Sequence, residues 1–453
     1  MASTYLSRTP SNAYYLKATF SFWFKRSGLG EMGLFGRKGS NATNNLSTCH
    51  FGSDDTLLIN FRDSSGTSQY YQITNRKFRD TNGWYHFHYI IEGDNSTQGD
   101  RSRLYINGVR ETSFSLNNNP SSNSYQIATF LSSDGAFTVG RALRSQTDTF
   151  GNFDGLISHF HCSTGYAYEP TVFGETDATT GEWKIKTSPT FTPGTDGFTI
   201  LKDGNTITDQ SANSNNFSLT AGTLTNMKDC PSNVFATFNN LEYYGSDGAT
   251  LSNTNTTYAS PSAGHRYLRS TIGVSTGKYY AEFKLAVSAG SGTNMVGITD
   301  HEMNDGTDEL SQDNYSYAYV DDGSVRANGS NVDTGEATYA ANDIIMVAMD
   351  ITNSKLYFGK NGTWINSGDP TSGSTGTGAY SIQPVASTLT GCYHFAAGDW
   401  VNPGTNTWSA NFGNGFFGTT AVASAGTNAS NNGVFEYDVP AGYTALSTKG
   451  LNK

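Results

Sequence analysis

The chain has 453 residues, with 28 Lys or Arg against 39 Asp or Glu, a formal net charge of −11. That balance excludes a broad phosphate-neutralising surface, because nucleic-acid affinity rests on clustered Lys and Arg that release counterions. Only 15% of residues are charged and 13% are aromatic, so polarity comes from Ser, Thr, Asn and Gly, and disorder, coiled coils and helical bundles are excluded.

The opening MASTYLSRTPSNAYYLKATF has no apolar stretch of the kind a secretory signal uses. No run of about 18 apolar residues occurs, so no membrane insertion is expected. Apolar residues recur at period two in short runs cut by Gly, Asn, Asp and Ser, the pattern of antiparallel sheets. Thr19-Phe20-Ser21-Phe22-Trp23-Phe24 alternates first, and Leu57 to Phe61, Tyr85 to Ile91 and Leu104 to Ile106 follow. The last runs into Asn107-Gly108 and then Val109 to Thr112. Asn-Gly between strands predicts a type I′ turn, since both central residues must reach positive φ. No long helix is predicted, and Glu169 to Gly174 is the candidate for a short one.

Through residues 171–232 the alternation weakens. Pro189, Pro193 and the polar run Asp209 to Asn216 predict an extended, loop-rich connector packed on the first domain. Within it, Phe198, Ile200 and Leu201 could add an edge strand. A second strand series starts near Phe235 and runs through Tyr279 to Leu285, Met295 to Ile298, Tyr315 to Val320, Ile344 to Met349 and Lys355 to Phe358. Asn361-Gly362 then repeats the hairpin device of the first half. Thr371 to Gly378 and Ala421 to Asn432 predict surface loops. The absence of a sustained repeat disfavours solenoids, propellers and fibre shafts. The expected fold is all-β: two antiparallel β-sandwiches in tandem, residues 1–170 and 233–453, joined by the connector.

Gly83-Trp84-Tyr85-His86-Phe87, Leu104-Tyr105-Ile106-Asn107-Gly108, Phe137-Thr138-Val139-Gly140-Arg141 and Phe153-Asp154-Gly155-Leu156-Ile157 resemble the laminin-G-like/concanavalin A-like sandwich. That family is a two-sheet jelly roll that usually binds glycans or proteins. Gly277-Lys278-Tyr279-Tyr280-Ala281-Glu282, Val296-Gly297-Ile298, the run Asn342 to Asp350, the Asn361-Gly362 hairpin and Ala410-Asn411-Phe412-Gly413 resemble a SPRY domain. SPRY domains are bent β-sandwiches that typically bind proteins through loops at one end. Phe173-Gly174-Glu175, Thr180-Gly181-Glu182-Trp183, Gly197-Phe198, Asp209-Gln210-Ser211 and the run Asn233 to Leu241 are similar to a segment of marine bacteriophage virion proteins. The opening Thr4 to Pro10 and the close Tyr443 to Thr448 resemble the same proteins.

The resemblance implies a non-enzymatic virion structural protein, on a tail fibre, an appendage or the capsid surface, assembled in the host bacterial cytoplasm. Its implied partners are other virion proteins, host-surface glycans or receptors, and further copies of itself. A stand-alone lectin or scaffolding module is the alternative, followed by a polysaccharide depolymerase.

The glucanase branch of that superfamily places three acids as Glu-x-Asp-x-(x)-Glu on one strand face. Glu92-Gly93-Asp94 lacks the third acid, and Glu175-Thr176-Asp177 is followed by Thr179 and Thr180. No catalytic residue is therefore assigned. Gly273-Val274-Ser275-Thr276-Gly277 fits G-x-S-x-G, but strand-like sequence follows where that elbow needs a helix. Gly413 to Gly418 fits G-x-G-x-x-G outside any βαβ unit. Both read as turns.

His86/His88 and His159/His161 are i, i+2 pairs that share a strand face. They could gather four imidazoles for zinc; the preferred reading is hydrogen-bonded sheet histidines among Tyr and Phe. Asp300, Glu302 and Asp305 lie in an acidic loop that could supply oxygen ligands to calcium, and no other cofactor is expected. Trp364, Trp400 and Trp408 are the candidates for stacking on pyranose faces. Cys49, Cys162, Cys230 and Cys392 are too sparse for a disulfide scaffold. They read as unpaired thiols, with Cys162 and Cys230 the pair to bridge if any does.

Overall fold

The alternation at Thr19 to Phe24 becomes the strand Lys17–Arg26, whose Phe20, Phe22 and Phe24 enter a core while Ser21 and Trp23 take the opposite face. It belongs to a computed structural model that describes all residues except 1–3, 12–14, 39–45, 63–65, 125–134, 145–148, 203–205, 242–249, 261–263, 290–292, 301–308, 402–404 and 453. The chain divides into two units, Met1–Asn226 and Met227–Lys453, and each is an antiparallel β-sandwich.

In the first unit a six-stranded sheet runs Phe198–Ile200, Gly155–Thr164, Lys17–Arg26, Tyr85–Glu92, Ser102–Ile106, Val109–Arg110. The facing sheet is built around Ser68–Lys77, Thr56–Arg62, Leu46–Phe51 and Met32–Lys38. Phenylalanines close the space between them. The Phe22 ring stacks on Phe160 at 4.6 Å and meets Phe35 of the other sheet edge-on at 5.7 Å. Cys49 and Cys162 are buried in the same core, and all four cysteines are free thiols.

The connector gives an edge strand to each sheet, one of them at the Phe198 and Ile200 that the sequence marks for it. Phe198–Ile200 pairs with Gly155–Thr164 at the edge of one sheet, and Ser218–Ala221 pairs with Tyr5–Arg8 at the edge of the other. A buried ion pair, Arg8 to Asp196 at 3.2 Å, fastens the amino-terminal strand to it. Asp196 also accepts from Ser11 N, Ser11 Oγ and Tyr15 Oη at 2.8, 2.8 and 2.9 Å. The expected helix at Glu169 to Gly174 shrinks to a 3-10 turn at Pro170–Val172, after which the chain enters the strand Gly174–Thr176.

The second unit repeats the plan. Lys278–Val287 lies between Ile344–Asp350 and Thr407–Asn411 in a nine-stranded sheet. The six-stranded partner runs Gly264–Arg269, His394–Val401, Thr293–Thr299, Ser316–Val320, Val325–Ala327, Ser330–Asp333. Phe283, Phe395, Phe412, Tyr319 and Trp408 fill the space between. Near Phe235 the chain forms an isolated bridge to Ser447 rather than a full strand. Ala236 N bonds Leu446 O and Thr448 N bonds Val234 O, both at 2.9 Å, so the opening and closing segments of this unit hold each other. Of the two stretches read as loops, Thr371 to Gly378 is largely a 3-10 stretch, Pro370–Thr375.

Both Asn-Gly turns have the predicted geometry, with φ of 50° and 75° at Asn107 and Gly108 and 48° and 87° at Asn361 and Gly362. Each Asn side chain also caps the neighbouring strand. Asn107 Oδ1 accepts from His86 N at 2.7 Å, and Asn361 Oδ1 accepts from Ile344 N at 2.8 Å. Among the described residues no helix is long and apolar enough to cross a membrane.

Candidate functional site

Period two gives every strand of a sandwich a second face, and what lies on that face decides what it can bind. In the first unit, register brings polar and aromatic groups together there. Ser21 pairs with both His88 and His161, and Trp23 pairs with His86. This face is covered by the chain itself. Phe173 packs on His88 and His161 at 5.5 and 5.3 Å, Phe191 meets His161 at 5.5 Å, and the Trp183 ring lies nearly parallel to His86 with centroids 5.9 Å apart. His86 also stacks on Trp23 at 4.9 Å.

The imidazoles are hydrogen-bonded within this layer. Trp183 Nε1 donates to His86 Nδ1 at 3.0 Å, which leaves the ring proton on Nε2, 2.8 Å from Ser21 Oγ. His88 Nε2 faces the Tyr168 carbonyl at 2.8 Å, and His161 Nδ1 faces Thr199 Oγ1 at 3.0 Å. Burial pulls His88 and His161 down to about 3 and His86 well below its ordinary value, so all three rings are neutral near pH 7. His159 sits at a bulge with φ of 51° and bonds Ser158 Oγ instead. Among the described residues no group of three or more His, Cys, Asp or Glu side chains is placed to hold a metal ion.

The acids of the near-miss motifs are held in ion pairs. Glu92 contacts Lys17 at 3.1 Å and Arg103 at 3.0 Å, and Asp94 contacts Lys17 at 3.3 Å. Glu175 and Asp177 share Lys184 at 3.4 and 3.2 Å across the small hairpin Gly174–Thr176/Trp183–Ile185.

In the second unit the corresponding face carries Tyr280 and Glu282, covered by Phe435, Val439 and Tyr443. Glu282 is buried and accepts four hydrogen bonds, from Tyr280 Oη and Tyr437 N on one oxygen and Glu436 N and Asn411 Nδ2 on the other. Burial still pushes its carboxyl up to about 7. The two glycine motifs are turns here. Asn411 Oδ1 accepts from Gly413 N and Gly415 N at 3.0 Å each, and Val274 bridges to Tyr393 one residue beyond Gly273.

The three candidate tryptophans separate clearly. Trp408 is fully buried, with Nε1 donating to Gly398 O at 3.0 Å, so both ring faces are packed against protein and it is removed as a stacking platform. It lies in the core strand Thr407–Asn411. Trp364 is half-buried and meets Tyr280 edge-on at 6.3 Å within the covering layer. Trp400 is 47% exposed at the end of His394–Val401, paired in register with Thr293. Beside it Asp399 turns inward and is buried, its carboxyl pushed up to about 7.

Asp300 is fully buried and accepts from Leu389 N at 2.6 Å, while its carbonyl accepts from Thr390 Oγ1 at 2.5 Å. Its carboxylate thus anchors the loop at Leu389. Glu302 and Asp305, the other two residues of the candidate calcium loop, lie outside the described residues. The sequence predicts a connector against the first domain but not the face it covers, whose signal is the isolated aromatics Tyr168, Phe173, Trp183 and Phe191 in a segment without periodicity.

Residues 3–165 match the family model of the concanavalin A-like lectin/glucanases superfamily, and residues 278–378 match that of the SPRY domain. The first unit thus carries a concanavalin A-like domain and the second a SPRY domain. Among solved structures, the native heptameric SAP-like pentraxin from Limulus polyphemus is 16% identical, covering 37% of this chain and 72% of that one at a TM-score of 0.28. The SPRY domain of human HERC1 is 16% identical, covering 36% and 91% at 0.28. A putative carbohydrate binding protein from Bacteroides ovatus is 14% identical, covering 49% and 58% at 0.31. No curated protein matches the sequence. Domains of these two kinds suggest glycan or protein binding rather than catalysis.

Proposed function

We propose that the chain is a non-enzymatic structural protein of a bacteriophage particle, a tail-fibre, appendage or capsid-surface component that meets host-surface glycans or receptors. The observation that carries this reading is the covered sheet. In each unit the sheet face opposite the core is roofed by a later segment of the same chain, with Phe173, Trp183 and Phe191 in the first and Phe435, Val439 and Tyr443 in the second. A cleft enzyme on such a sandwich needs that face open, with a carboxylate pair facing substrate. Here the face is filled, and the acids of the near-miss motifs are neutralised by Lys and Arg.

Covering the second face adds a third packed layer and stiffens the sandwich, which suits a subunit that holds surfaces in place within an assembly of its own copies and other virion proteins. Several motifs resembling virion proteins lie at the fastening points of the units, Arg8 to Asp196 and Val234 to Thr448. Trp400 supports the glycan-binding part of the reading.

The test is mass spectrometry of purified particles from an infected host carrying this gene. A defined copy number per particle is expected, and absence from washed particles ends the reading. Glycan binding by the isolated chain together with that absence would favour the stand-alone lectin.

A further inference from the structure

Cys392 and His394, which play no part in the covered faces, form a pair at the entrance to strand His394–Val401. Cys392 Sγ lies 3.5 Å from His394 Nε2. The other ring nitrogen, Nδ1, is 2.7 Å from the carbonyl oxygen of Ser270. A carbonyl only accepts, so Nδ1 carries the ring proton and Nε2 turns a lone pair towards the thiol. Thr390 Oγ1, 3.4 Å from the sulfur, donates to the Asp300 carbonyl, so it too faces Sγ as an acceptor.

Burial pulls His394 down to about 4, and Arg269 pushes the same way, while the Ser270 carbonyl and Asp300 oppose them. The ring is therefore neutral near pH 7 and a weaker base than a free imidazole, so it takes the thiol proton in step with attack by the sulfur. Gly273 is packed against both groups. A Cβ there would fall 2.4 Å from Nε2 and 2.8 Å from Sγ, so only glycine lets thiol and imidazole meet beside this loop.

The other cysteines supply the contrast. Cys49 and Cys162 are fully buried, and burial pushes both thiols up. Cys230 is half-buried like Cys392, but its sulfur faces a hydroxyl, Ser232 Oγ at 3.3 Å. Partial exposure and an oriented imidazole coincide at Cys392.

We propose that Cys392, with His394 as its proton acceptor, is a covalent modification site that takes small disulfides and other soft electrophiles. With a disulfide, the proton of Cys392 passes to His394 Nε2 as the Cys392 sulfur attacks one sulfur of the disulfide. A new S–S bond forms, the old one breaks, and the departing thiolate takes the proton from His394. The small disulfide is the oxidant and is reduced to one thiol, while Cys392 is oxidised to the mixed disulfide. With an alkyl halide, the S–C bond forms as halide leaves. The inference is independent of the virion and glycan readings.

The experiment treats the full chain near neutral pH with limiting iodoacetamide and, separately, with oxidised glutathione, reading each cysteine by peptide mass spectrometry. Cys392 is expected to react about tenfold or more faster than Cys230 with both reagents. His394→Gln is expected to bring Cys392 down to the Cys230 rate. Gly273→Ala, which keeps both chemical groups but drives a methyl between them, is expected to slow Cys392 and leave Cys230 unchanged. Equal rates at Cys392 and Cys230 in the unaltered chain would overturn the proposal. So would a Cys392 rate indifferent to both substitutions. Unchanged Cys230 reactivity and continued protection of Cys49 and Cys162 show that a variant has kept its fold, and if His394→Gln fails that check, Gly273→Ala decides.

Discussion

The indole Nε1 of Trp183 donates to Nδ1 of His86 at 3.0 Å across 97 residues of chain. That bond fixes the tautomer of a buried imidazole and ties the covering segment to the sheet beneath it. Trp183→Phe keeps most of the apolar cover and removes the donor, leaving His86 Nδ1 buried and unmatched. The expected cost is about 1–3 kcal/mol. Trp183→Ala also loses the packing and is expected to cost more. Urea midpoints of the two variants check the order, and an unchanged midpoint in both would show that the cover carries no stability.

Two glycines separate backbone strain from crowding. Gly108 and Gly181 have nearly the same φ, 75° and 74°, but a Cβ at Gly108 would lie 2.4 Å from the Trp183 ring while one at Gly181 meets nothing within 4 Å. Gly181→Ala is expected to cost about 1–2 kcal/mol for the left-handed backbone alone. Gly108→Ala is expected to exceed it, because the indole must move and its bond to His86 with it. Equal costs by equilibrium unfolding would refute the close contact.

Opposite responses to pH are expected in the two units. In the first, burial holds His88 and His161 at about 3, and His86 well below its ordinary value, against about 6.5 in the unfolded chain. The unfolded state therefore binds more protons in acid. The stabilisation is complete above pH ~6.5 and falls as pH drops towards 3, by up to about 1.4 kcal/mol per pH unit for each ring.

In the second unit Glu282 and Asp399 are raised to about 7, above ordinary carboxyl values of 4.5 and 3.8. The folded state there holds the extra protons, so this contribution is present below those ordinary values and lost as pH rises through about 7. His394, at about 4, works against it in acid. Calorimetry across this range, with His161→Gln and Glu282→Gln each flattening one limb, checks both signs.

Trp400 and Trp408 give a functional contrast within one sheet pair. Trp408→Ala empties a core site and is expected to cost about 3–5 kcal/mol. Trp400→Ala removes a ring that is 47% exposed and is expected to cost clearly less stability than Trp408→Ala while abolishing retention on host-surface glycans. Binding that survives Trp400→Ala would remove this residue from the ligand surface.

Much of the fold was legible because it is written in local rules. Alternation at Thr19 to Phe24 and Tyr279 to Leu285 marks strands because successive side chains must face opposite ways. Asn107-Gly108 and Asn361-Gly362 mark turns because few other pairs accept positive φ at both positions. The candidate sites were less legible. Period two shows that a strand has two faces but not what lies against the second, so Trp364, Trp400 and Trp408 looked alike in sequence and were sorted only by packing.

By itself, then, the sequence determined the sheet class and the hairpin tips, since each depends on residues near one another in the chain, and its composition excluded a broad basic surface. Only the tertiary structure decided that the histidines of the first unit lie under Phe173, Trp183 and Phe191, that Glu282 is gripped by the segment at Glu436, and that the ring of His394 beside Cys392 is oriented by the carbonyl of Ser270. These contacts join residues from a dozen to more than a hundred positions apart. No local periodicity encodes them, because they follow from the register of paired strands and the path of the segments that return over them.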